Sequence, residues 1–177
     1  MQYLITRSSK HLPNTPIVMV DGKCWGWEPK PGDFYFNHHD MGGELIQIDE
    51  IPMGFCYGRD VTYVGTHLDS DVCVAAAWCQ VNPATITLGA IRRLQAISYA
   101  CDYLEIPDDL ADLADFAKEA VAALEVELKF KYPLCTLEEM SPRFREGTEW
   151  LLRAIAGESP YPGELGEARK FWQDFSY

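Results

Sequence analysis

Short apolar runs separated by polar turns fill the first third of the chain, and three-to-four-residue periodicity fills the rest. Tyr3 to Thr6 is a β-prone run. Ile17 to Val20 is a continuous apolar run between Pro16 and Asp21-Gly22, which suits a buried strand. Lys23 to Asp33, rich in Gly, Pro and Trp, reads as a loop or hairpin, and Phe34-Tyr35-Phe36 as a short aromatic strand running into Asn37-His38-His39-Asp40. Glu44 to Ile51 reads as irregular, and Val61 to Val64 as a further strand ending at Gly65-Thr66. Val72 to Cys79 is a run of small apolar residues that reads as a buried helix, with Asp69, Ser70 or Asp71 as its N-cap.

Helical spacing continues from Thr87 to Leu104 through Ile91, Leu94, Ile97 and Cys101. From Asp108 to Lys131 an amphipathic pattern predicts one long helix, with acids at its start and lysines at its end as the helix dipole favours. Leu137 to Ala156 predicts another, with Trp150, Leu151 and Ile155 on its apolar face; the tail from Glu158 reads as Pro/Gly-rich, then short-helical. The expected fold is α/β: a parallel or mixed sheet with helices packed on it and a helix-rich C-terminal half. It reads as a single domain over 1–177, with an α/β core carrying the metal site in 1–104 and a helical extension in 105–177.

Composition changes this picture little: 177 residues, 47% hydrophobic and 24% charged, are ordinary for a globular chain. No apolar run approaches the ~18 residues of a membrane span, and the first residues carry no long apolar segment of a signal peptide, so no membrane partner is expected. Charge changes the picture more. Fifteen basic against 27 acidic side chains give a net charge of −12, which repels long duplex nucleic acid but leaves room for a small anionic substrate held by a cation. The six cysteines, Cys24, Cys56, Cys73, Cys79, Cys101 and Cys135, form no CxxC pair and read as reduced thiols in a cytoplasmic protein. Five tryptophans allow an apolar contact between copies, a homo-oligomer, without placing one.

Candidate chemistry lies in two clusters. His38-His39-Asp40 follows the aromatic strand, and His67-x-Asp69-x-Asp71 follows the strand ending near residue 65; Asp21 follows a third strand. Strand ends are where α/β sheets build sites. Carboxylates gathered at one sheet edge repel one another unless a cation neutralises them, and a mixed imidazole and carboxylate set suits Mn²⁺, Fe²⁺ or Zn²⁺ better than Ca²⁺. Such a set has room for two ions, which would activate a water for in-line attack on a phosphoryl group. The same residues also read as a helix cap with a solvated acidic turn, as surface histidines after an edge strand, and, for Asp21-Gly22, as a tight turn. Trp25 and Trp27 read either as core or lid packing or as a stacking platform. Arg92-Arg93 and the pair Arg143 and Arg145 read as surface charges or as holders of a substrate anion.

The segments Val20-Asp21-Gly22, Phe36-Asn37-His38-His39-Asp40 and 66–76, beginning Thr66-His67-Leu68-Asp69-Ser70-Asp71, resemble the motifs of the DHH phosphoesterase superfamily. The two main motifs stand in exchanged order, and Asn37 occupies the place of the triplet's Asp. The resemblance covers about 50 residues. It implies a parallel-sheet core, Mn²⁺ (or Mg²⁺) as one or two ions, and hydrolysis of phosphodiesters or phosphoanhydrides. By position it implies Asp21, His38, His39, His67, Asp69, Asp71 and Asp102 as metal ligands, with His38, His39 and Asp69 also catalytic. The expected function is a metal-dependent phosphoesterase acting on a small phosphorylated substrate, a nucleotide or short oligonucleotide, through a metal-activated water. The alternatives are a non-catalytic binding protein on a degenerate fold of this kind, and a single-metal His/Asp site with non-phosphoryl chemistry.

Overall fold

The structure, a computed structural model, describes residues 1–20, 22–36, 47–125 and 137–157. Four strands, β1 (Gln2–Ile5), β2 (Ile17–Val20), β3 (Phe34–Phe36) and β4 (Thr62–Gly65), form one sheet in the order β1-β4-β2-β3. Every pairing is parallel, so all four strands end at the same edge. The register aligns those ends: Ile5 pairs with Gly65, Met19 with Val64, and Val20 with Phe36.

The faces of this sheet explain the unbroken apolar runs. Alternate residues Tyr3, Ile5, Val18, Val20 and Tyr63 enter the main core under the helices. The intervening Ile17, Met19 and Val64 enter a smaller core with Cys24 and Trp27 of the loop after β2. Both sides of β2 are thus covered, and all four of its residues are buried. Tyr35 of β3 meets Trp27 edge-on at 5.8 Å between ring centroids.

Helices α1 (Ser70–Gln80), α2 (Leu88–Asp102), α3 (Ala114–Glu125) and α4 (Leu137–Ile155) lie on the first face. The central helix α1 has nine buried residues, which explains why its sequence lacks an amphipathic stripe. Thr87 caps α2 by accepting the Ala90 N–H at 3.1 Å. Helix α4 runs beside β1, the edge strand, where Ser141 Oγ accepts the Ile5 N–H at 3.0 Å. Residues beyond 105 share one hydrophobic core with the sheet: Leu124, Phe144 and Leu151 cluster with Tyr3, Val72 and Leu94.

The segment expected to be one helix from Asp108 to Lys131 begins differently. Asp108–Leu113 is a 3-10 helix, and the α-helix starts at Ala114; residues 126–131 lie outside the described residues. The tighter winding sets Leu110 and Leu113 one above the other at i and i+3, with Leu110 buried. Arg92 fixes this turn by donating to Asp112 Oδ1 at 2.7 Å and to the Asp109 carbonyl at 3.0 Å. Among the described residues no helix is long and apolar enough to cross a membrane.

Candidate functional site

The turn from β4 into α1 carries the His/Asp motif. Asp69 is the N-cap of α1, its Oδ1 accepting the Val72 N–H at 3.0 Å. Its other oxygen, Oδ2, lies 2.8 Å from His67 Nε2. Thr66 Oγ1 stands 3.2 Å from His67 Nδ1. With Nε2–H donating to the carboxylate, Nδ1 of a neutral ring accepts from the threonine hydroxyl, so both ring nitrogens are oriented. The helix-cap reading of Asp69 and its pairing with His67 are therefore both present, one on each carboxylate oxygen.

Two glycines let the chain turn so closely at this edge. Gly65, the last residue of β4, is tightly enclosed: a Cβ there would stand 3.1 Å from Val72 Cγ1 and 3.2 Å from Ile5 Cδ1, so these side chains would have to give by a few tenths of an ångström. Gly22, just beyond β2, adopts φ +117°, and a Cβ on it would overlap Thr66 Oγ1. The chain leaving β2 is thus in contact with the chain leaving β4, one residue from His67.

The remaining sequence-predicted ligands are distributed as follows. Asp21, His38, His39 and Asp40 lie outside the described residues. Asp71 is in the first turn of α1, two positions past the cap. Asp102 is the last residue of α2, and its Oδ2 accepts the Ile48 N–H at 2.8 Å, which anchors the 3-10 turn Ile48–Glu50. Among the described residues no three His, Cys, Asp or Glu side chains converge as a metal group, so His67 and Asp69 are the two predicted ligands that meet. A cation held by this pair would take the place of the Nε2 proton that bridges it in this structure.

Acid surrounds the start of α1 on its inner side. Ser70 donates to Glu125 Oε1 through both its N–H, at 3.2 Å, and its hydroxyl, at 2.7 Å. Burial first, and then the negative charge of Asp71, pushes the Cys101 thiol well up, so it is inert as a nucleophile. Cys73 is likewise raised, chiefly by burial.

A cleft of about 840 Å³ opens on the outer side, between the C-terminal ends of β1 and β4. Leu4 and Met140 supply apolar wall, and Thr6, Arg7, His11 and His67 line the polar part. Thr6 Oγ1 lies 3.5 Å from His11 Nδ1, and Arg7 Nε donates to the Thr66 carbonyl at 3.3 Å. Sequence reading assigned His67 but missed Arg7 and His11. Their only signal is that they follow β1, and nothing in the sequence states that β1 lies beside β4. No protein-family model matches the chain, and neither does any curated protein or solved structure.

Proposed function

We propose that the protein is a divalent-metal-dependent hydrolase of the phosphoesterase type, acting on a small phosphorylated substrate such as a nucleotide or short oligonucleotide. The observation that carries this reading is the His67–Asp69 pair, 2.8 Å apart at the end of β4, on an edge where β2 and β3 end in register. Asp21 is the next residue after Val20, and His38 and His39 follow Phe36 by two and three positions. His67, Asp69, Asp21, His38 and His39 would hold one or two Mn²⁺ or Mg²⁺ ions, with Asp71 and Asp102 as the outer acids of the set. On this reading the chain's likeness to the DHH phosphoesterases extends to its chemistry.

A divalent cation at this edge supplies a water of lowered pKa and positive charge for the phosphoryl oxygens. The chain's own part is positional. Accepting the Val72 N–H fixes the Asp69 carboxylate with Oδ2 turned to His67, and Thr66 holds the plane of the His67 ring. The five cysteines among the described residues are all free thiols, which supports a reducing compartment, the cytoplasm.

The test is Mn²⁺ titration by calorimetry, followed by hydrolysis of a chromogenic phosphodiester. Asp69→Asn retains the cap acceptor and removes the charge, so it separates ligation from folding. The wild type is expected to bind Mn²⁺ and turn over, with affinity falling at least about tenfold in Asp69→Asn and in His67→Ala. Unchanged affinity in both variants, or no binding by the wild type, overturns the metal assignment. Binding without turnover on any phosphoester favours the non-catalytic alternative.

A further inference from the structure

The cleft between the ends of β1 and β4 has few polar groups left to offer. Its hydroxyls are engaged within the protein. Thr6 Oγ1 accepts the Ser8 N–H at 3.2 Å, Ser8 Oγ the Lys10 N–H at 3.3 Å, and Ser141 Oγ the Ile5 N–H at 3.0 Å. Thr66 Oγ1 is turned to His67 Nδ1. Hydroxyls already bonded to the backbone add little to a ligand, and the rest of the wall is aliphatic. Leu4 is half-buried against the smaller core and Met140 against the main one, so two packed layers hold them in place. Ser141, next to Met140, ties its helix to β1 through the bond to Ile5. The described lining residues include no carboxylate and no Phe, Tyr or Trp.

One end of this cleft is charged. Arg7 Nε donates to the Thr66 carbonyl at 3.3 Å, and Thr66 directly precedes His67, which also lines the cleft. The terminal amino groups of Arg7 make no hydrogen bond among the described residues and suit an anionic oxygen. The aliphatic Ile5 and Leu4 lie two and three residues back along the chain from Arg7. The cleft thus offers one fixed guanidinium beside the His67–Asp69 pair and an aliphatic wall leading away from it. Its volume, about 840 Å³, is that of small-molecule sites, which bury an apolar body and orient it by a few polar groups.

We propose that this cleft receives the alkyl chain of a soluble phosphate monoester, with the phosphate between Arg7 and the His67–Asp69 pair and the chain against Leu4, Ile5 and Met140. The inference rests on the phosphoesterase reading for the fate of the phosphate, and deepens it. Among small phosphorylated substrates it selects an aliphatic ester over a nucleotide, whose base would need an aromatic platform. In the reaction water attacks phosphorus and the P–O bond to the alcohol breaks. The alcohol oxygen leaves with one proton of that water, and the remaining hydroxyl stays on the phosphate.

The experiment is calorimetric titration with ethyl, butyl and hexyl phosphate and with ribose 5-phosphate, each in Mn²⁺ and in EDTA. Affinity is expected to rise about tenfold for every two methylenes added, in both buffers, with ribose 5-phosphate well below hexyl phosphate. Met140→Gln, which keeps the side-chain length, is expected to flatten that rise, and Met140→Leu to keep it; circular dichroism checks that both fold. Arg7→Gln is expected to weaken every ester alike and leave the rise unchanged. Vesicles containing phosphatidic acid are expected to leave the protein in the supernatant on pelleting; co-sedimentation would assign the cleft to a membrane lipid and overturn the soluble ligand. Equal affinity for ethyl and hexyl phosphate overturns the proposal, as does ribose 5-phosphate binding as tightly as hexyl phosphate, or an undiminished rise in Met140→Gln. Mn²⁺ binding and turnover without chain-length dependence removes this inference alone. Chain-length dependence in a protein that binds no Mn²⁺ leaves the cleft standing and removes the hydrolase reading alone.

Discussion

Ser70 and Glu125, 55 residues apart, are joined by two hydrogen bonds to a single carboxylate oxygen, and both residues are buried. Ser70 is the first residue of α1 and Glu125 lies in α3, so a carboxyl group sits against the N-terminal end of the central helix. Glu125→Ala is expected to lower the unfolding free energy by about 2–3 kcal/mol, because it leaves a buried N–H and hydroxyl without their acceptor. Glu125→Gln keeps an acceptor and is expected to cost about 1 kcal/mol. Urea denaturation of both variants checks the order, and equal stabilities would show that the bonds to Ser70 carry nothing.

Gly22 is expected to be intolerant of any side chain. Its positive φ already disfavours an L-residue, and a Cβ would displace the Thr66 hydroxyl that orients His67. Gly22→Ala is expected to cost about 1–3 kcal/mol and to move the His67 ring resonances in a two-dimensional NMR spectrum. An unshifted His67 with native stability would contradict the contact between the two strand exits.

Tyr103 gives the alkaline limb a defined feature. Desolvation, and then its 2.9 Å hydrogen bond to Asp49, pushes the phenol up to about 12. An unfolded tyrosine titrates near ~10. A raised value favours the neutral form in the folded state, so its stabilisation is complete below pH 10 and is lost as pH rises towards about 12. Absorbance titration at the tyrosinate band is expected to show Tyr103→Phe losing one of several late-ionising groups, since Tyr3, Tyr63 and Tyr99 are also raised, chiefly by burial. Identical titrations of the two proteins would remove Tyr103 from this role.

Elements whose burial is complete were the most legible in the sequence. Ile17–Val20 is apolar throughout because helices cover one face and the Trp27 loop the other, and both boundaries match. The cap of α1 was narrowed to three adjacent residues, and geometry selects Asp69 because its side chain reaches the Val72 N–H. The start of the segment after Pro107 was not legible, since 3-10 and α turns share an i, i+3 apolar spacing. His67 and Asp69 were legible as a pair because they are two positions apart. Arg7 and His11 join that pair only through the pairing of β1 with β4, a contact across about 60 residues that no local pattern encodes.

The strand order also dictates a sequence of events during synthesis. Of these four strands Gln2–Ile5 is made first, and among the described residues it finds its sheet neighbour at Thr62–Gly65 and a cover at Ser141, 136 residues after Ile5. Until then its amide groups are a bare template for any passing extended chain. The earliest-made of the four strands is therefore enclosed late, and premature termination ahead of α4 yields fragments that invite chaperone capture or self-association.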